Sequence, residues 1–543
     1  MIQIDIRKRD GLARSGTFVI NKVSIRTPAV LDTVDLFPSL KTKNGTNIPL
    51  AAGSEFTKSY YVKNNHQPIT IHPALENPAL SGDCVMVDNW HTVLYNPRNY
   101  VMWLIDLKEK TPPDTLWYVP ATALPSNVHI LCYSGFDIFD FRAVDLKSAQ
   151  GIFCLPEGEF PKEYLKLGLC TCDGCRNENL KQHNRIELQC EIELINRFIE
   201  AGQLRELVES RSRMHAQHVA ILRHLDNQYN FMEKRVPVSR SCVMQVNSGE
   251  SINRVEIRRF AERVVTRYIP PKTDVAVLLP CSAKKPYSLS KSHRKFQTAI
   301  ANRAHELIIS SPLGIVPREV ETIYPAGHYD VPVTGYWDAE ECSLIADIIA
   351  RYFIRNRYRR IIAHLDGGAL KVVEIAAEKC NLTLEYSCKE NPTSNASLNK
   401  LDQALDGERR IKDDRLHGMC SYQFGIDINT KGFTLRGRFP EIYYSKENLQ
   451  YFSINTATGM LRPTFDGWKL IPKGYRVLID DFTPEGDILV PGIIKADPEI
   501  REGDEVLIIG LKIEATGKAA MSEDEMMRSK RGVAVRVRKI KKL

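Results

Sequence analysis

The spacing of hydrophobic and polar positions changes several times along the chain, and each change marks a candidate domain. Residues 1 to about 130 carry short β-branched runs, "TFVINKVSIRTPAV" and "CVMVDNWHTVLY", between stretches containing Pro and Asn, the pattern of strands and loops. From about residue 184 the period lengthens, and Leu188, Ile192, Ile195 and Ile199 share one face of a helix. Gly202 ends that helix, and "LRELVESRSRMHAQHVAILRHL" predicts a second. Between about 270 and 390, strand candidates "VAVLLP", "LGIVP", "RIIAHL" and "TLEYSC" alternate with helix candidates near 293–308, 338–356 and 368–380. This alternation predicts an α/β sandwich with a largely parallel sheet, a fold that binds ligands at the carboxyl ends of its strands. After about 410 a mixed region holds "SYQFGIDI" and "YFSINTATGMLRPTFDGW". The final seventy residues read as short strands with Gly-marked turns, a small β-barrel.

At 543 residues the chain exceeds one hydrophobic core, and three or four domains are expected. No stretch approaches eighteen uncharged apolar residues, and the start "MIQIDIRKRDG" lacks the apolar core of a secretory signal. A cytoplasmic protein with no membrane partner is expected. The net charge of +8 is uneven: the terminal "RSKRGVAVRVRKIKKL" carries only basic charge. Such a stripe is either a nucleic-acid contact or an edge strand protected by charge. Thirteen cysteines in a chain of this size argue for metal ligands or reactive thiols rather than a disulfide framework.

The most specific chemical signal is "CTCDGCRNENLKQH", in which Cys170, Cys172, Cys175 and His183 form a soft, tetrahedral ligand set suited to zinc. Asp173-Gly174 supplies the turn that lets the thiolates converge. Four protein ligands predict a closed, structural site, with His215 and His218 as rival fourth ligands. The second signal is "PCSAKKPYSLSKSH", residues 280 to 293, directly after the apolar run "VAVLLP". It sets a thiol, hydroxyls, lysines and an imidazole where a buried strand ends.

Several segments resemble known families. "RDGLARSGTF" and "RTPAV" are similar to the opening of archaeal tRNA-guanine transglycosylases. "YSGFDIFDFRAVDLKSAQGIFCLPEG" resembles that family's segment around its nucleophilic aspartate, which falls on Asp140; the Cys-rich motif and "IEAGQLRELVESR" follow in the family's order. The resemblance implies a TIM-barrel-like domain with a zinc-bearing appendage. Barrel and appendage share about 240 residues where a barrel alone takes about 250, so the barrel is trimmed. The family's second catalytic aspartate lies in an Asp-Ser-Gly-x-Phe-Gln stretch that this chain lacks, Asp88 being the nearest position. Base exchange needs both a nucleophile and an acid/base group, which leaves Asp140 to bind the base or support the structure. "RVLIDDFTPEGDILVPGIIKADPEIREGDEVLII", with Gly492 and Gly503-Asp504, then "ATGKAAMSEDEMM" and "RGVAVRVRKI", resemble a PUA domain, which assigns the basic tail to tRNA. Finally "PCSAKKPYSLSKSH", "SPLGIVPRE", "YPAGHYDVPVTGYW" and "HLDGG" extend the likeness over essentially the whole chain, to the archaeosine synthase branch of the transglycosylases.

The resemblance implies a multidomain α/β protein: a transglycosylase-like barrel with its zinc appendage over 1–240, and a catalytic α/β sandwich over 241–410, similar in fold to uracil-DNA glycosylases. A small α+β linker domain over 411–470 and the PUA β-barrel over 471–543 complete it. It implies that the side-chain amine of free lysine adds to the nitrile of 7-cyano-7-deazaguanine at nucleotide 15 of tRNA, without ATP. A radical-SAM partner then cleaves the adduct to archaeosine, and the chain is compatible with a homodimer. In that chemistry Cys281 either adds first to the nitrile or is a small buried spacer. His293 is a proton carrier or simply a residue at a helix start. Lys285, Ser282, Ser290 and Ser292 offer hydrogen-bond donors, while Lys284 and Lys291 are solvated or phosphate-facing. Tyr287 stacks on or bonds to the base or the amino acid. His328 and Asp330 in "AGHYDVP", and His364 and Asp366 in "AHLDGG", flank predicted strands, and either aspartate suits the α-amino group of lysine. The alternatives are an active transglycosylase and a tRNA-binding scaffold without catalysis.

Overall fold

The computed structural model describes residues 2–37, 40, 55, 59, 68–73, 75, 82–88, 96–332, 337–388, 391–412 and 414–543. The expected strand segment "WHTVLY" and part of "VPVTGYW" lie outside the described residues. The chain divides into two compact units, one of residues 1–237 with 477–503 and 518–537, the other of 238–476 with 504–517 and 538–543. Among the described residues no helix is long and apolar enough to cross a membrane.

The first unit opens with an antiparallel meander, β1 (Gln3–Asp10), β2 (Ala13–Ile20) and β3 (Val23–Thr27). A parallel sheet follows from β4 (Ala29–Leu31), β5 (Ile69–Ile71), β6 (Cys84–Val87), β7 (Leu116–Tyr118) and β8 (Ile138–Asp140), in the order β4-β8-β7-β6-β5. Phe18, Cys84, Leu116, Tyr118 and Ile138 form its core. Five parallel strands are what the described residues show of the expected barrel. The helix Pro97–Lys110, started by the Asn96 cap, went unpredicted in a stretch read as strands. β9 (Ile152–Leu155) and β10 (Gly158–Pro161) form a hairpin beside the long helix Leu180–Ala201. That helix ends where Gly202 takes a left-handed φ of 72°, as the sequence predicts. The second predicted helix is two, Leu204–Ser212 and Ala216–Asn227. At the break, beside extended His215, the His218 ring meets His129 edge-on and His215 at a tilt, with ring centroids 5.2 and 4.8 Å apart.

The second unit is built on β12 (Val275–Pro280), β13 (His305–Ser310), β14 (Gly314–Pro317), β16 (Arg360–Ala363) and β17 (Glu385–Tyr386), in the order β14-β13-β12-β16-β17; a short parallel pair, β11 (Met244–Gln245) with β15 (Tyr329–Asp330), stands apart. All pairs in the main sheet are parallel except β13–β14. Val275, Val277 and Leu279 point to one face and pack on Phe296, Ile300, Leu401 and Leu405 of the helices Lys291–Ile300 and Asn395–Ala404 and the turn after them. Ala276 and Leu278 are buried on the opposite face, so β12 reads as a continuous apolar run. Each buried Val or Leu of this strand contributes about 1.5–3 kcal/mol through burial. The helix expected over 293–308 stops at Ile300, because Ala301 and Asn302 adopt φ of 48° and 58°, and "HELIIS" becomes β13 instead. The helices Ala339–Arg355 and Gly367–Cys380 match expectation.

Four strands, β18 (Thr434–Arg438), β19 (Glu441–Lys446), β20 (Leu449–Ile454) and β21 (Leu461–Pro463), form an antiparallel sheet. The chain ends in the nearly closed barrel of β22 (Arg476–Ile479), β23 (Ile488–Leu489), β24 (Ile493–Ala496), β25 (Glu505–Ile509), β26 (Ile513–Ala519) and β27 (Val533–Lys542). On β27 the basic residues Arg536, Arg538, Lys539, Lys541 and Lys542 face outward.

Candidate functional site

Two clusters carry chemistry. In the first unit, the ligand atoms of Cys170, Cys172, Cys175 and His183 all lie within 4.8 Å of one another. The short helix Asp173–Arg176 turns the thiols inward, and Gly174 packs so tightly on the His183 backbone that a Cβ there would come within 2.2 Å of its nitrogen. His183 Nδ1 stands 3.4 Å from Cys172 Sγ and 3.3 Å from Cys175 Sγ. Its other nitrogen, Nε2, donates to the Cys154 carbonyl at 3.1 Å, and its ring stacks on Phe153. That carbonyl settles the tautomer and leaves Nδ1 as a ligand. Burial and the adjoining thiols push Cys175 up to about 12, and burial raises Cys170 as well. Sulfurs crowded in this way ionise readily only around a cation, and the spacing suits ligands about 2.0–2.3 Å from a tetrahedral ion. The residues therefore fit a metal. His183 completes the set of four candidate ligands, whereas His215 and His218 lie against His129 instead.

The second cluster lies at the carboxyl ends of β12 and β13. Cys281 follows β12 directly and is half-buried. Burial raises its thiol, while the Lys285 ammonium and a hydrogen bond with Ser310 pull it back. Lys285 Nζ stands over the Tyr329 ring, 4.1 Å from its centroid, and burial lowers its amine against the pull of Cys281 and Asp330. Tyr287 is fully buried. Its hydroxyl donates to Ser310 Oγ at 3.1 Å and lies 2.7 Å from the Tyr329 hydroxyl, which also bonds Ser310. β15 pairs with β11 and thereby carries Tyr329 and Asp330 to the group. Next to Ser310, Ser311 donates to Glu341, whose carboxyl burial pushes up.

The other predicted residues take supporting places. Ser290 caps the helix Lys291–Ile300, accepting from the His293 amide at 3.1 Å and bonding Ser292 at 3.1 Å. His293 is buried with both ring nitrogens engaged. Arg318, a donor only, bonds Nδ1 at 2.8 Å, so Nε2 carries the proton and donates to the Pro280 carbonyl at 3.0 Å. Burial and the Arg318 charge lower its pKa to about 3, so the ring is neutral and ties the end of β12 to Arg318. Arg318 in turn pairs with Glu306 and Glu321, and Glu321 accepts from the Ser288 amide at 3.0 Å, which pins the loop after Cys281. Ser282 donates to the Lys284 carbonyl across a local turn. His328 meets Tyr324 and the Ala457 backbone. His364 bonds Ser387 and the Pro392 carbonyl, and Asp366 stands at the start of the helix Gly367–Cys380, its carboxyl raised by burial.

Asp140, in the first unit, ends β8 and is buried. It accepts from the Tyr118 hydroxyl at 2.6 Å and from the amides of Ala121 and Arg142 at 3.0 and 3.1 Å, so both of its oxygens have protein partners. Sequence reading missed Ser310, Tyr329, Glu341 and Arg318. The apolar run "ELIIS" ending in two serines was the available signal for the first of these, and it was absorbed into an overlong helix.

Residues 257–405 match a family model described as a domain of unknown function (DUF5591), and residues 476–541 match the PUA domain. The chain is 36% identical to archaeosine synthase subunit alpha of Methanosarcina acetivorans, over 86% of this chain and 81% of that one. It is 34% identical to archaeosine synthase of Haloferax volcanii over 99% of each. It is 26% identical to tRNA-guanine(15) transglycosylase of Methanobrevibacter smithii, over 75% of this chain and 63% of that one. With a PUA barrel at its end, an α/β domain carrying the Cys281 group and relatives of nearly its own length, the chain belongs to the archaeosine synthase family.

Proposed function

We propose that this chain is a tRNA-modifying enzyme of archaeosine biosynthesis that joins the side-chain amine of free lysine to the nitrile of 7-cyano-7-deazaguanine at nucleotide 15. The observation that carries the reading is the Cys281–Lys285–Tyr329 group at the carboxyl ends of a parallel sheet, in a chain whose relatives are named archaeosine synthases.

The chemistry sets two demands. Lysine's amine, with a pKa of about 10.4, must lose a proton before it attacks, which costs about 4–5 kcal/mol at neutral pH. The nitrile nitrogen must gain one as its carbon takes the new bond. In one route the Cys281 sulfur adds to the nitrile carbon and its proton passes to nitrogen; the amine then displaces the sulfur, which leaves as thiolate while the amine's proton goes to a base. Glu341, its carboxyl raised by burial and bonded to Ser311 beside this group, suits that base. Lys285 holds the thiolate by charge, and Asp330 beside it suits the α-amino group of the incoming lysine. No step consumes ATP.

We also propose that Cys170, Cys172, Cys175 and His183 hold zinc as a structural ion, that the outward basic residues of β27 contact the tRNA backbone, and that a radical-SAM partner takes the adduct onward. The test is mass spectrometry of tRNA bearing the cyano base, incubated with this chain and lysine without ATP. Gain of one lysine mass is expected. No added mass, with tRNA binding retained, would leave a scaffold, whereas exchange of labelled guanine into tRNA would make the chain a transglycosylase.

A further inference from the structure

We infer that the second unit carries a groove that grips the phosphate backbone of the tRNA, with Lys272, Arg409, Arg410, Lys412 and Lys431 as the contacting cations. None of these residues belongs to the Cys281 group or to β27. The groove has two lobes, of about 810 and 610 Å³, which share Lys272, Lys412 and Asp414 in a common wall. The larger lobe also takes in Lys431 and Phe433, and the smaller takes in Arg409 and Arg410.

Pairing the charges leads there. Arg303 holds Asp402 and Asp406, and Arg359 holds Asp274 and Glu408. Asp414 accepts from the Thr430 hydroxyl at 2.6 Å, and Asp427 meets His417 Nε2 at 2.9 Å. The acids that line the groove are thereby committed to protein partners. Among the described residues, none pairs with Lys272, Arg409, Arg410, Lys412 or Lys431, and all five are exposed. The backbone that carries three of them is tied down: the Ile411 amide donates to the Asn302 carbonyl at 2.7 Å, and Glu408 binds both Arg359 and Arg360. Unpaired cations gathered along a concave wall raise the local positive potential more than the same charges spread over a convex face. A run of phosphates answers that potential, and each contact releases a condensed counterion. Phe433, half-buried in the same wall, offers a ring on which a base can stack, which favours RNA over an acidic polypeptide. Phosphate contacts carry no sequence information, so the groove positions tRNA whatever base stands at nucleotide 15.

The inference rests on the proposed reading that this chain acts on tRNA, and the binding measurement separates the two. Affinity of the full-length, metal-loaded protein for tRNA, with and without the cyano base, is measured across a salt series. Lys272→Ala, Arg410→Ala and Lys412→Ala combined are expected to flatten the slope of log affinity against log salt by about 2–3. The same variant binds about a hundredfold more weakly at physiological salt, equally for both tRNAs. Lys431→Ala alone weakens binding about fivefold. A wild-type slope in the combined variant overturns the inference, even if affinity falls. Should that variant not fold by circular dichroism, acetylation of the wild type followed by mass spectrometry decides: tRNA is expected to protect Lys272, Lys412 and Lys431, and polyglutamate is not. Protection by polyglutamate alone, or by neither, overturns the inference. No tRNA binding by the wild type defeats the proposed function and this inference together. A wild-type slope in the variant with lysine addition intact defeats this inference alone, and a flattened slope in a protein that adds no lysine defeats the proposed function alone.

Discussion

In the first unit, burial and neighbouring thiols push Cys175 up to about 12, and three sulfurs converge on one imidazole nitrogen. In the second, burial raises a single thiol, Cys281, while an ammonium and a hydroxyl pull it down. The same difficulty, a sulfur removed from water, has two answers. Three thiols with a histidine need a cation of more than one charge, and once four protein ligands surround it the site is closed. A single thiol is answered by one ammonium and one hydroxyl, which need no metal. A closed ligand set suits a structural role, whereas a single thiol beside an amine suits chemistry.

Stripping the metal gives the largest effect that separates the clusters. Cys172→Ser, or a strong chelator, is expected to remove one bound ion per chain by metal analysis. Stability of the first unit should fall by at least about 4 kcal/mol, or roughly 10 °C in melting temperature. An unchanged melt would mean the thiols are not structural ligands. Cys281→Ala should do the opposite: metal content and melting stay as in the wild type, while lysine addition to cyano-base tRNA falls at least about a hundredfold. Addition at the wild-type rate would reduce Cys281 to a spacer and leave direct attack by the amine.

Acid sharpens the comparison next. His293 is neutral in the folded state with its pKa lowered to about 3, against an ordinary value near 6.5. Below pH 6.5 the unfolded chain binds a proton that the folded chain refuses, so this contribution is complete above 6.5 and is lost as pH falls toward 3. The loss is on the order of 3–5 kcal/mol in the second unit. Denaturant melts from pH 7.5 to 4.5 should show a slope that His293→Gln reduces, buried His328 and His364 supplying the remainder. A slope unchanged in the variant would place the acid sensitivity in those other groups.

How much of this was legible follows from distance along the chain. The four candidate metal ligands fall within fourteen residues, so spacing alone named the three cysteines and proposed His183, and the structure sets His183, not His215 or His218, beside them. The Cys281 group spans residues 281 to 330 and needs two strands beyond its own segment. Cys281 and Lys285 were visible as a crowded strand end, but Ser310 was hidden because "FQTAI" and "HELII" read as one apolar helix. Only left-handed Ala301 and Asn302, which carry no Gly or Pro signal, divide them. His293 looked like a proton carrier from its type. Its neutral, doubly bonded state depends on Arg318, twenty-five residues away, which periodicity cannot reach. The parallel sheet was predictable from alternation, whereas the reversed β14 depends on the tight turn after Ser310.

The smallest effect asks whether Ser290 serves the fold or the substrate. Its hydroxyl accepts from the His293 amide at 3.1 Å, the geometry of a helix N-cap, and it lies within the same segment as Cys281 and Lys285. As a cap alone, Ser290→Ala costs about 1 kcal/mol of stability in the second unit, and Ser290→Asn, an equally good cap, restores it. Lysine addition then changes no more than about threefold in either variant, because the Cys281 thiol and the Lys285 ammonium are untouched. A loss of tenfold or more that Ser290→Asn fails to restore, with the melt recovered, would show that the hydroxyl touches lysine or the base. The Cys281 cluster would then extend from the end of β12 to the start of the following helix, and the segment after Cys281 would hold substrate along its whole length.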